Sequence, residues 1–234
     1  MDVPRIKKEA PAADAAWAFR QTGIKGDRVM LDNKGFDLWA DGYDKTVGLS
    51  DEDESYPFAG YKIVLAKIYQ LVMAKENARV LDIGFGTGTL TQRLYEQGCE
   101  IWGQDFSGKM IEIAGAKMPN AHLFQADFSQ GLAEPLLRNT YDFIIATYSL
   151  HHLTDDNKIS LIQTMADLLN ENGAILIGDV AFANRQELER CREKAGEEWD
   201  DEEIYFVFDE LKKLFPAMSF EPISYCAGVL SLLR

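Results

Sequence analysis

The sequence predicts an α/β fold, a three-layer α/β/α sandwich with helices on both faces of a mostly parallel sheet. Three observations lead there. From residue 79 onward short apolar runs alternate with stretches of helical length. The first of those runs ends in a glycine-rich turn, V-L-D-I-G-F-G-T-G-T-L from Val80 to Leu90. The last two apolar runs stand too close together for a crossover, so one of the final strands must be antiparallel.

Taken in order, residues 1 to about 35 mix alanine, proline and charge without a sustained period, the pattern of a partly disordered segment or of an isolated helix over 14–20. An aromatic segment, 36–47, is parted by the acidic run 50–55 from a helix that begins near Pro57. In that helix Tyr61, Val64, Leu65, Ile68, Leu71 and Val72 recur at spacings of three and four and form one apolar stripe, which belongs against a sheet. Strands are expected at 79–83, 100–104, 122–125, 141–147 and 174–180, because strands buried on both faces read as nearly continuous apolar runs. Helices at 88–97, 107–117 and 155–171 connect them, the last stopped by Asn172-Gly173. An acidic helical region covers 184–215 and ends before Pro216. The runs 218–226 and 229–233 then form a hairpin about Ala227-Gly228.

A chain of 234 residues, 47% of them hydrophobic, builds one sizeable core and fits one structural domain. Its net charge of −14 repels phosphate backbones and anionic bilayers, which disfavours a nucleic-acid partner. Cys99, Cys191 and Cys226 are odd in number and form no C-x-x-C pair, the pattern of buried thiols in a reducing compartment. The opening residues hold no continuous apolar stretch, and no later segment reaches the length of a membrane span. The expected setting is cytoplasmic, without a membrane partner; the sequence is silent on oligomeric state.

The glycine turn carries the chemistry. Gly84, Gly86 and Gly88 let the backbone turn tightly and expose amide groups at a helix N-terminus, which suits a nucleotide-like ligand. A dinucleotide fingerprint places its third glycine at position 89, where this chain has Thr89, so a nicotinamide-linked oxidoreductase is disfavoured. Asp105 closes the second strand about 20 residues on, where a carboxylate meets the two ribose hydroxyls of a bound nucleoside. Ser107 is the better cap for the helix that follows. Asp127 ends the third strand at a comparable interval, placed to accept from an adenine amino group, with Phe128 beside it as an apolar wall. Phe106 and Met110, which follow Asp105, join the candidate cofactor set.

With Asp82 two residues before the first glycine, this pattern resembles the class I S-adenosylmethionine-dependent methyltransferases, in which the glycine motif, the ribose acid and the adenine acid match Asp82 to Gly88, Asp105 and Asp127. The resemblance covers residues 36 to 234. It is nearest to small uncharacterised bacterial methyltransferases that open with F-x-x-W-A-x-x-Y-D, here Phe36, Trp39, Ala40, Tyr43 and Asp44, and carry Y-x-x-H-H-L, here Tyr148, His151, His152 and Leu153. It implies S-adenosylmethionine as cofactor with S-adenosylhomocysteine as product, and a seven-stranded Rossmann-like sheet whose last strand is antiparallel. It also implies a segment, residues 1–76, that caps the cofactor site of a core at 77–234 and brings Tyr43 and Tyr61 to the ligand. Phe85 departs from the small or proline residue common between the first two glycines, and is counted with the cofactor set.

His151 and His152 close the fourth strand, at the sheet edge where open α/β folds bind ligands. Neutral imidazole takes or orients a proton, and His151 is the catalytic candidate; adjacent side chains diverge, which leaves His152 to packing. No metal is expected, since the pair lacks Cys or acidic partners at ligand spacing. The absence of G-x-S-x-G, P-loop lysine and H-E-x-x-H removes the common hydrolase, NTPase and zinc-protease readings. The implied reaction is in-line methyl transfer to an unidentified small-molecule acceptor, driven mainly by alignment. A non-catalytic regulator that binds the same cofactor is the alternative.

Overall fold

The computed structural model describes residues 56–234. Helix α1 (Tyr61–Val72) starts after Gly60, whose φ of 82° turns the chain into it, and buries Val64, Leu65, Ile68 and Val72 along the expected stripe. That stripe lies on the central strand β5 (Leu169–Phe182) at Gly178. A Cβ there would stand 2.3 Å from Val64 Cγ1 and 2.8 Å from Ile68 Cδ1, so the missing side chain is what lets the helix seat.

Strands β1 (Arg79–Ile83), β2 (Glu100–Asp105), β3 (His122–Gln125) and β4 (Tyr141–Thr147) are parallel to one another and to β5. Helices α2 (Thr89–Glu96), α3 (Gly108–Lys117) and α5 (Asp155–Asp167) fall among their crossovers, with a one-turn α4 (Glu134–Leu137) before β4. The tail adds β7 (Ser219–Pro222) and β8 (Ala227–Leu233), and β8 alone runs against its neighbours. The order across the sheet is β3-β2-β1-β4-β5-β8-β7. Seven strands thus form the main layer, and a two-residue β6 (Phe206–Val207) pairs with the far end of β5. Strand order reverses between β1 and β4, and their carboxyl ends open a crevice there.

Three expected boundaries are corrected. The helix over 155–171 ends at Asp167, because Leu169 is claimed by the sheet, where it pairs with Tyr141. Asn172, at φ 62°, with Gly173 forms an irregularity inside β5 instead of a helix stop, and a Cβ on Gly173 would press on the carbonyls of Asn170, Asp142 and Tyr141. The acidic region 184–215 is two helices, α6 (Arg185–Ala195) and α7 (Phe208–Leu214). Between them Tyr205, Phe206 and Val207 are buried in extended conformation, and a helix would pull them out of the core. The hairpin turns at 223–226, where Ile223 and Ser224 amides donate to the Ala227 carbonyl; Ala227 and Gly228 already pair with Val180 and Asp179.

All three cysteines are buried and unbridged. Among the described residues no helix is long and apolar enough to cross a membrane. Tyr43, the F-x-x-W-A-x-x-Y-D segment and the helix expected over 14–20 lie outside the described residues.

Candidate active site

Gly84, Gly86 and Gly88 all adopt positive φ, at 72°, 55° and 79°. Only glycine does this without strain, and the three positions differ in what surrounds them. A Cβ on Gly84 would stand 2.5 Å from Ser149 Cβ, whereas one on Gly86 would meet nothing within 4 Å. Gly84 therefore serves close packing of the turn on the segment that follows β4, and Gly86 borders open space. Phe85 is 6% exposed, with its ring against Gly103 of β2; a Cβ there would be 2.6 Å away. Its side chain is committed to the core, and only its backbone remains on the turn.

Beneath the turn, Asp82 is fully buried. One carboxylate oxygen accepts from the Thr91 hydroxyl, and the other, Oδ1, has no hydrogen-bond partner. Burial, reinforced by the charge of Asp105 and opposed by the Thr91 bond, pushes its pKa up to about 7. Asp105 closes β2 and is itself buried; Oδ2 accepts from the Gly86 amide at 2.8 Å and Oδ1 from the Ser107 amide at 2.9 Å. The carboxylate so ties the glycine turn to the start of α3. Ser107 caps that helix through the Met110 amide, and Met110 is half-buried.

Asp127 is exposed and braces its own loop by accepting from the Ser129 amide. It lines an open cleft of ≈ 780 Å³ with Phe106, Phe128, His152 and Leu153. Phe106 is 67% exposed, an apolar face turned outward, while Phe128 is 8% exposed. Tyr61 is half-buried and stands 4.9 Å, centroid to centroid, from Tyr148. Tyr148 holds φ 49°, and its buried hydroxyl has no hydrogen-bond partner. Burial first, then the nearby Asp179, Cys226 and Tyr61, keeps that phenol well above its ordinary pKa.

The histidine pair is divided the opposite way from expectation. In burial alone, His151 is the covered member, at 8% exposure, and His152 is exposed on the cleft wall. His151 Nδ1 lies 2.7 Å from Asp179 Oδ1, and Nε2 lies 3.4 Å from Glu203 Oε1. Burial works against the imidazolium, but the charge and hydrogen bond of Asp179, with Glu203, outweigh it and raise the pKa. For His152 burial and the neighbouring His151 lower it. The expectation that the pair lacks acidic partners at ligand spacing is overturned by Glu203, which stands 51 residues beyond His152 in sequence. The Ile204 amide donates to the His151 carbonyl at 2.9 Å, and the buried Lys158 ammonium donates to the Ile204 carbonyl, which pins Glu203 in place. Asp179 was open to discovery by the same strand-end logic that found Asp105; nothing local marks Glu203.

Residues 59–224 match a methyltransferase domain family. An uncharacterised methyltransferase of Geobacillus sp. (strain WCH70) is 37% identical over 193 residues, covering 79% of this chain and 87% of its own. The uncharacterised methyltransferase YrrT of Halobacillus halophilus is 33% identical over 193 residues, covering 80% and 87%. Among solved structures, magnesium protoporphyrin IX methyltransferase from Synechocystis with bound S-adenosylhomocysteine superposes with a TM-score of 0.60 at 19% identity. That match covers 86% of this chain and 95% of the other.

Proposed function

The chain belongs to the class I S-adenosylmethionine-dependent methyltransferases, among their small bacterial members, and on that premise we propose that it transfers a methyl group in line to a small-molecule acceptor. The observation that carries this is the tie between the glycine turn and Asp105 at the carboxyl ends of β1 and β2, next to a cleft that Asp127 lines with Phe106, Phe128 and His152. The residues fit the cofactor. Gly86 keeps clear a space that a Cβ would fill, Asp82 holds a buried oxygen with no partner, and Phe106 offers an uncovered ring.

When bound, S-adenosylmethionine supplies an already activated sulfonium methyl group. The chain then has to bind, orient and exclude water. In this reading Asp105 takes the ribose hydroxyls with the lone pairs that the Gly86 and Ser107 amides leave over, since a carboxylate offers about four acceptor sites. Asp127 accepts from the adenine amino group, and Phe106, Phe128 and Met110 wall the base. The turn from Gly84 to Gly88 contributes backbone amides, Phe85 among them. In the same proposal Tyr61, half-buried beside Tyr148, contacts the cofactor.

On the acceptor side stand His151, His152 and Glu203. Asp179 accepts from the Leu150 and Val180 amides, so His151 Nδ1 is the donor in their contact and Nε2 is the basic atom. For a hydroxyl acceptor, that atom is the candidate to receive the proton. A small-molecule acceptor accords with a chain whose charge of −14 opposes polyanions and with a neighbour in fold that is named for magnesium protoporphyrin IX.

The test pairs calorimetry with turnover. S-adenosylmethionine and S-adenosylhomocysteine should each bind at one site, and a metabolite extract should yield a product heavier by one methylene that requires both protein and cofactor. Absence of binding sinks the reading. Binding without turnover across extracts turns it toward a regulator.

A further inference from the structure

On the acceptor-side wall two hydrogen-bond acceptors face each other. With its Nδ1 proton given to Asp179, a neutral His151 aims the Nε2 lone pair at Glu203 Oε1, 3.4 Å away. Lone pair against carboxylate is repulsive at this distance, and a proton or a metal cation between them resolves it. His152 brings a third ligand atom. One nitrogen from each imidazole and a Glu203 oxygen all lie within 4.8 Å of one another. Neighbouring histidines seldom converge, but here a 3-10 turn, Leu150–His152, holds the ring centroids 4.2 Å apart at 64°.

The spacing suits a small cation. Bonds of about 2.0–2.1 Å in a tetrahedral site place ligand atoms roughly 3.3 Å apart. The His151 and Glu203 atoms already have that separation, and His152, being exposed, has the freedom to turn inward. An outer shell is also built. Asp179 holds the far nitrogen of His151, and the Tyr205 hydroxyl donates to Glu203 Oε2 at 2.6 Å, which leaves Oε1 for the ion. Ligating imidazoles give their second nitrogen to a carboxylate in this way, and ligating carboxylates are themselves hydrogen-bonded.

We propose that His151 Nε2, a ring nitrogen of His152 and Glu203 bind one divalent first-row transition cation of the zinc class, with a coordination position open to the cleft. Two imidazoles and one carboxylate favour zinc, cobalt or iron(II) over magnesium and calcium. With the cation bound, His151 Nε2 is a ligand and no longer the proton acceptor; resting on the methyltransferase reading, the open position takes an oxygen or nitrogen of the acceptor and orients it, while the metal site itself does not depend on that reading.

The experiment uses the full chain, stripped with chelator, in excess magnesium. Zinc is titrated by calorimetry and cobalt by visible absorption, with S-adenosylhomocysteine binding measured alongside. One equivalent should bind, and cobalt should develop a ligand-field band. His152→Ala and Glu203→Gln should each weaken zinc binding by about 10-fold or more, Asp179→Asn by about 10–100-fold. Glu202→Gln, at an exposed neighbour, should change nothing. Failure to bind one equivalent, or binding that His152→Ala and Glu203→Gln leave intact, overturns the proposal and leaves a proton bridging the pair. Zinc binding with the expected mutant pattern but no S-adenosylhomocysteine binding upholds the site and counts against the methyltransferase reading alone.

Discussion

At the scale of single residues, Asp82 couples the buried floor of the glycine turn to pH. Its folded pKa of about 7 lies above the usual 3.8, so the folded chain keeps a proton that the unfolded chain releases. Its contribution to stability is full below about pH 4 and is lost as pH rises through about 7. The melting temperature of the wild type should therefore fall relative to Asp82→Asn across that window; parallel profiles would refute the assignment. The environments of the first two turn glycines separate packing from binding. Gly84→Ala should lower thermal stability by adding a clash with Ser149 to the strain of its positive φ, whereas Gly86→Val meets no atom, should keep the fold at the cost of backbone strain alone, and should lose cofactor affinity. Circular dichroism melts and calorimetry on both variants check the pairing, and the reverse order of effects contradicts it. Asp105→Ala removes two charge-assisted bonds to the ribose worth roughly 1.5–3 kcal/mol each, so cofactor affinity should drop by about 100-fold or more. Some stability should go too, since the Gly86 and Ser107 amides lose their acceptor.

At the scale of elements, the seating of α1 on β5 depends on Gly178. Gly178→Ala should destabilise the fold by about 1–3 kcal/mol through overpacking against Val64 and Ile68, read from urea unfolding. Adding Val64→Ala should restore part of the loss, and strict additivity of the two changes would argue against the contact. The same scale shows where residue patterns stop being informative. The stripe of α1 and the apolar runs of β1 to β4 were readable because each is periodic or continuous over its whole length. The segment between α6 and α7 was not, because acidic, helix-favouring residues surround Tyr205, Phe206 and Val207, and burial against β5 overrides local propensity. Asn172-Gly173 reads equally as a helix stop and as a strand irregularity; pairing of Leu169 with Tyr141 decides between them.

For the whole molecule, the proposed site draws on the sheet, its switch point and the crevice above it, so on that proposal ligand and stability are linked. S-adenosylhomocysteine at about 100 times its dissociation constant should add roughly 2.7 kcal/mol to the folded state. In a chain of this size that raises the melting temperature by about 5–10 °C; no shift at saturation would mean that the crevice is not the ligand site. The sequence by itself determined the α/β class, the glycine turn, the acids at the ends of β2 and β3, and the antiparallel close of the sheet. Those features are local: each is written in a few consecutive residues whose backbone geometry or burial follows from their own types. Only the tertiary structure decided which histidine is buried, that Asp179 orients it and that Glu203 completes the cluster. These contacts join residues from three separate stretches of chain, and sheet register together with the Ile204 to His151 bond brings them together where spacing along the sequence carries no trace.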